Sequence, residues 1–141
     1  MGWTLFAVIS AVAAGATAVF AKAGLEEVAP NLGNTIRTAM VLMLSAAVLV
    51  WSGEHQAVRE ITTRSWVFLA LSGVATTVSW VAFFKALSLG PATPVTAVDR
   101  SSLVVTMLLG AWLLGEELSW RTGVGVALMI AGALVVSSTK S

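Results

Sequence analysis

The stretch WVFLALSGVATTVSWVAFFKAL, residues 66–87, decides the fold. Its apolar residues run on without alternation, and it holds a single charge, Lys85, near its end. A helix crossing a hydrocarbon core of roughly 30 Å needs about 20 such residues at ~1.5 Å each. Four more stretches meet that length. Residues 3–21 are uncharged and alanine-rich, 32–51 contain Arg37, 94–114 carry Asp99 and Arg100, and 120–137 are uncharged after Arg121. Continuous apolar runs fit helices, whereas the strands of a membrane barrel alternate. The expected fold is therefore an all-α integral membrane protein, one domain over residues 1–141 with five transmembrane helices.

Composition agrees. Of 141 residues, 57% are apolar and 11% charged, with no cysteine, no tyrosine and one histidine. Soluble domains carry roughly 25% charged residues to cover their surface. Eight Lys+Arg and seven Asp+Glu cannot wrap a water-soluble globule of this length. The formal charge of +1, with no basic cluster, argues against nucleic acid as a partner. Absent cysteines exclude a disulfide framework, and a lone His55 excludes the usual zinc and iron sites. No nucleophile–base pair, phosphate-binding glycine loop or metal cluster is present, so neither an enzyme nor a resident cofactor is expected.

The connections are short and carry breakers: Pro30-Asn31, Ser52-Gly53, Gly90-Pro91 and Gly115-Glu116-Glu117. Thr93 is expected to cap the fourth helix with Pro94 as its first residue. Residues 3–21 lack a cationic leader region and exceed a signal core in length, so they read as a span. Met1-Gly2 does not start a myristoylation signal, because Phe6 stands where Ser or Thr is required. Five spans put the termini on opposite sides of the bilayer. Arg59, Arg64 and Arg121 then lie on the N-terminal side, and Lys22, Lys85 and Lys140, with Arg37, on the other. The positive-inside rule barely discriminates between the two orientations. Either the chain has a fixed orientation that this count does not resolve, or it inserts both ways and pairs with an inverted copy of itself.

The segment ALSLGPATPVTAVDRSSLVVTMLLGAWLLGEELSWRTGVGVALMIAGALVV, residues 86–136, resembles the last two helices of an EamA repeat of the drug/metabolite transporter superfamily. ALSLGPA before the fourth helix, LGE at its end and GVALMIAGALVV in the fifth carry the likeness. FAKAGLEEVAP, ending at Pro30, and the later Arg37 resemble the junction of the first two helices. Most members join two repeats in one polypeptide. This chain resembles a single repeat, which implies an antiparallel homodimer of ten helices. The resemblance implies a secondary transporter of a small metabolite or drug-like solute, expected to export it across a bacterial or archaeal inner membrane. The four-helix relatives use a glutamate in helix one; here that helix holds no acid, so their coupling chemistry does not carry over. The coupling ion is left open, a proton among the candidates.

Charged groups inside a span are costly and face a bundle interior or an aqueous cavity. Asp99 is the one acid well inside a span. It could hold a proton, counter a cationic solute or order a neighbouring cation; against this stands a fixed pair with Lys85 or Arg100. Arg100 points about 100° around the helix from it and could bind a carboxylate or snorkel. Asn34, Arg37, Thr38, Val41 and Ser45 form a mostly polar stripe on helix two. Arg37 there could contact solute or pair with Glu26 or Glu27. Gly73, Thr77, Trp80 and Phe84 form a stripe on helix three, with Thr76 and Phe83 beside it. Trp80 could attract a cationic solute through its face. The candidate substrate-binding residues are Asp99, Arg100, Trp80, Arg37, Lys85 and Thr77, around a cavity between subunits lined by helices one to three and the start of helix four.

Small-residue stripes at Gly123, Ala127 and Ala131, and at Gly125 and Gly132, mark helix five for subunit contact. Tryptophans 3, 51, 66, 112 and 120 fit an interfacial belt, while His55 fits a solvated loop and Glu116 and Glu117 a boundary without special role. The alternative is a non-transporting membrane partner, half of a heteromeric transporter or a lipid-carrier accessory subunit. Embedded cations favour an anionic solute and Trp80 a cationic one, so the sign stays open.

Overall fold

A computed structural model of the chain describes residues 2–138; Lys140, used in the charge count, lies outside them. Six helices appear: α1 (Trp3–Gly24), α2 (Pro30–Ser52), α3 (Thr63–Leu89), α4 (Ala92–Asp99), α5 (Ser102–Leu109) and α6 (Trp120–Ser138). A 3₁₀ turn covers Glu54–Glu60 and a π-helical turn covers Gly110–Leu114. There is no strand among the described residues. With α4, α5 and the π turn taken as one span, Ala92–Leu114, five helical segments of 19 to 27 residues are long and apolar enough to cross a membrane. At ~1.5 Å per residue these are about 28 to 40 Å long, against a core of roughly 30 Å. The protein is an all-helical, multi-pass membrane protein.

Among the described residues two compact units form, residues 23–88 and residues 2–22 with 89–138. In the first, α2 opens with Pro30 at its start, where a missing N–H costs nothing, and closes on Gly53 in the left-handed region (φ 76°). The Thr62 hydroxyl accepts from the Ser65 N–H at 3.2 Å and so satisfies one free donor at the start of α3. Gly33 lets α2 approach its neighbours: a Cβ there would sit 2.9 Å from Leu25 Cδ2 and 3.7 Å from Phe84 Cε1. Leu25, Phe84 and Leu87 are the buried apolar residues of this unit.

In the second unit α4 packs on α6, and Val126 and Ala133, seven apart, are buried. On α6 a Cβ added at Gly123, Gly125 or Gly132 would meet nothing within 4 Å. That small-residue surface is open. Two expectations for the fourth span need correction. Its first helix starts at Ala92 on a Pro91 cap, with the Val95 N–H bonded to the Pro91 carbonyl at 3.3 Å, rather than at Pro94 on Thr93. Pro94 is tolerated as the third helical residue because every N–H of a first turn lacks an intrahelical partner. The span is also not one continuous helix. At Arg100–Ser101 the hydrogen bonding tightens to the i−3 pattern, Ser101 N to Val98 O at 3.0 Å and Val104 N to Ser101 O at 3.0 Å.

Elsewhere the surface is apolar. Phe6, Leu42, Leu44, Val78 and Leu128 are all exposed, as are Trp3, Trp51, Trp112 and Trp120, at 74% or more for the four tryptophans. In water such a surface would drive aggregation. In a bilayer it is the solvent-facing side.

Candidate functional site

The unit of residues 23–88 contains a cavity of about 710 Å³ between α2 and α3. From α2 come Asn31, Asn34, Thr35 and Thr38; from α3 come Ser72, Gly73, Thr76, Thr77 and Trp80. Leu42, Leu69 and Val81 supply an apolar border. The spacing explains the wall: positions three, four and seven apart fall on one helical face.

Four of the five hydroxyls of that wall are committed. Thr35 donates to the Asn31 carbonyl and Thr38 to the Asn34 carbonyl, both at 2.8 Å. Thr76 donates to Ser72 O at 2.8 Å and Thr77 to Gly73 O at 2.9 Å. A hydroxyl has one proton and two lone pairs, so these four oxygens have only acceptor capacity left. Asn34 is 8% exposed, and its Oδ1 has no hydrogen-bond partner. A buried acceptor without a partner costs about 1–3 kcal/mol.

Arg37 stacks on the aromatic side of this wall. Its guanidinium carbon lies 4.0 Å from the centre of the Trp80 ring and 5.7 Å from that of Phe84. Phe84 is held in turn edge-on to Phe83, ring centres 6.5 Å apart. The expected alternative for Arg37, a pair with Glu26 or Glu27, is not formed; among the described residues no carboxylate lies within ion-pair distance of it. A flat, delocalised cation stacks well on an indole face. Stacking covers its face and leaves its edge, with the N–H donors, uncommitted.

The six sequence candidates thus separate. Thr77 and Trp80 line the α2–α3 cavity, and Arg37, outside that lining, stacks on Trp80. Lys85 is exposed on α3 and is not part of the cavity wall. Asp99 and Arg100 belong to the other unit. Asp99, half-buried, is the last residue of α4, and Arg100, exposed, begins the 3₁₀ step. No ion pair joins these two among the described residues. Thr96, one turn before Arg100, has a buried Oγ1 without a partner. Sequence reasoning missed Asn31, Thr35 and Ser72. The signal was the stripe Asn31-Asn34-Thr35-Thr38-Leu42, one register away from the stripe centred on Arg37. It also missed the fold-back of Glu116 onto Gly110. The Glu116 N–H bonds the Gly110 carbonyl at 3.2 Å, and a Cβ on Gly110 would fall 2.7 Å from Glu116 Oε2.

Five apolar spans, two of them bordering a polar cavity, define a multi-pass membrane protein. The chain belongs to the EamA-like transporter family, which it matches over residues 1–138. It is 42% identical over 135 residues to an uncharacterized transporter encoded in the cobO 3′ region of a Sinorhizobium species, covering 96% of each chain. It is 30% identical over 107 residues to the uncharacterized transporter YwfM of Bacillus subtilis (strain 168), covering 72% of this chain and 35% of that one. No solved structure matches the chain.

Proposed function

We propose that this chain is a secondary transporter that exports a small solute by alternating access as an antiparallel homodimer, in the inner membrane of a bacterial or archaeal cell. The observation that carries the reading is the α2–α3 cavity: seven hydrogen-bonding side chains and a tryptophan inside two membrane spans, with Arg37 stacked on that tryptophan. Polar groups in hydrocarbon are tolerated where they face water or solute. Thr77 and Trp80 contact the solute there, and Arg37 is assigned to the site through its stacking on Trp80. Asp99 and Arg100, at the 3₁₀ step of the fourth span, serve as the charged groups that respond to solute or coupling ion, and Lys85 is assigned to the cavity entrance.

Two observations support the dimer. The α6 glycine surface is open to a neighbour, and the match to YwfM accounts for 35% of that longer chain. Two copies of one repeat in opposite orientations provide the inverted symmetry on which many transporters are built. The experiment is reconstitution of the chain as sole protein in liposomes, with a metabolite-uptake screen. Saturable flux is expected, and its absence across the screen refutes the reading. Reporters fused after Ser141, a residue outside the described range, are expected to be active on both sides of the membrane; strict one-sidedness removes the inverted homodimer.

A further inference from the structure

We infer that the α2–α3 cavity selects an uncharged solute carrying hydrogen-bond donors and acceptors together, as hydroxyl or amide groups, and discriminates against ions. The inference rests on the transporter reading and gives it a substrate class.

The first reason is the absence of charge from the wall. Among the described residues, every side chain lining the cavity is uncharged. An ammonium or carboxylate group entering it would exchange water for a surface without a countercharge, which is costly. The second reason is that the wall offers both halves of a hydrogen bond. Thr35, Thr38, Thr76 and Thr77 give their protons to carbonyls of their own helices and present oxygen lone pairs. The Asn31 amide, the Ser72 hydroxyl and the Trp80 indole N–H supply donors, and none of them bonds another protein group among the described residues. A solute with one kind of group alone would strip water from the other half of the wall without replacing it.

The third reason is Asn34. It lines the cavity at 8% exposure, and its Oδ1 has no partner. The last torsion of an asparagine is soft, so a small turn of the amide meets a donor offered from the cavity. The fourth reason is the place of Arg37. It stands outside the lining, and Trp80 holds it by one face, 4.0 Å from the ring centre. A cation attracted to the opposite face would stand roughly 8 Å from the guanidinium, close enough at an interior dielectric constant to lose about tenfold or more in affinity. The same field helps an anion by a like factor. That is less than the roughly hundredfold penalty of taking a carboxylate out of water without a direct partner. The expected order is therefore neutral, then anion, then cation.

The test uses the full chain in lipid nanodiscs and calorimetric titration at about pH 6. N-acetylleucinamide and methyl glucoside are the neutral probes, and the tighter of them tells amide from hydroxyl chemistry. N-acetylleucine is the anion. Leucinamide is the cation, its amine protonated below the α-amino range of about 8. N-acetylleucinamide is expected to bind roughly tenfold tighter than N-acetylleucine, with leucinamide weakest. Asn34→Leu is expected to weaken neutral binding roughly three- to tenfold, the worth of one hydrogen bond, without lowering thermal stability, since Oδ1 has no partner to lose. Ser72→Asp puts a carboxylate into the wall and is expected to raise leucinamide above N-acetylleucine. Arg37→Gln is expected to bring the two ions together in affinity while a neutral probe stays tightest. An ion that outbinds both neutral probes in the wild type overturns the inference. So does an unchanged order in Ser72→Asp, or no saturable neutral response at millimolar concentration. Flux measured in parallel separates the two levels. Neutral binding without flux removes the transporter reading and leaves the site. Flux of ions that ignores Ser72→Asp removes the site and leaves the transporter.

Discussion

The stacking of Arg37 on Trp80 makes a quantitative prediction. At 4.0 Å from the ring centre, with Arg37 half-buried in a membrane span, the contact sits between the exposed limit of about 0.5–1 kcal/mol and the desolvated value of about 2 kcal/mol. The expected coupling is thus about 1–2 kcal/mol. A double-mutant cycle isolates it: Arg37→Gln, Trp80→Leu and the pair, each unfolded reversibly in mixed detergent–SDS micelles and followed by far-UV circular dichroism. Leucine keeps an apolar side chain at position 80 and removes the π face. Phe84, 5.7 Å from the guanidinium, remains in every corner of the cycle and cancels. Trp80→Phe should retain a smaller coupling, since indole is the stronger partner. Additivity within roughly 0.3–0.5 kcal/mol, the range seen for independent sites, would refute the claim that Trp80 holds Arg37.

Four further outcomes are expected. Gly110→Ala should gain little stability or lose some in the wild-type background, because its Cβ meets Glu116 Oε2 at 2.7 Å. With Glu116→Ala also present, the same change should stabilise by about 0.5–1 kcal/mol, as Gly to Ala does inside a helix; equal effects in both backgrounds dismiss the fold-back contact. Gly115→Ala, at φ 69°, should cost about 1–2 kcal/mol by thermal unfolding, and Gly115→Asn less. Gly33→Val should destabilise by about 1–3 kcal/mol, because Leu25 Cδ2 and Phe84 crowd the added atoms; wild-type stability would show that α2 can move away freely. Asp99→Asn should uncouple flux from an ion gradient in proteoliposomes while solute exchange persists, and unchanged coupling removes Asp99 from the ion pathway.

The spans were legible because their signal is coarse. About 20 uninterrupted apolar residues read the same whatever their neighbours do, and the structure lengthens each by a few residues at most, for instance to Thr63–Leu89 where residues 66–87 are expected. Thr77 and Trp80 were legible too, as part of a stripe whose small and hydroxylated members differ from the surrounding valines. The phase of α2 was harder to read. Nearly all its polar residues crowd into its first turns, so several faces look polar, and Arg37 draws the expectation toward its own face when Asn31 and Thr35 line the cavity beside Asn34. The partner of Arg37 was open for a different reason. An arginine with two nearby glutamates in sequence and two aromatic rings in space has competing options, and only packing decides. The contact between Gly110 and Glu116 depends on a π turn, and periodicity does not announce one.

The step at Arg100 shows why a break can hide in an apolar span. No glycine or proline marks it, and its backbone stays in the right-handed helical region, with Arg100 at ψ −14° and Ser101 at ψ −12°. The N–H groups of Arg100, Ser101, Leu103 and Val104 still find carbonyls, as irregular backbone in hydrocarbon requires. It does change which acceptors are used. Ser101 bonds Val98 and Leu103 bonds Arg100, where an uninterrupted helix would have used Ala97 and Asp99. The bypassed carbonyls are those of Ala97 and Asp99, one of them belonging to the only acid well inside a span. Asp and Ser compete with helical hydrogen bonding through their short polar side chains, and the sequence Asp99-Arg100-Ser101-Ser102 concentrates such residues where the helix tightens. The same four residues therefore set the geometry of the step and place a carboxylate beside acceptors that the helix has released.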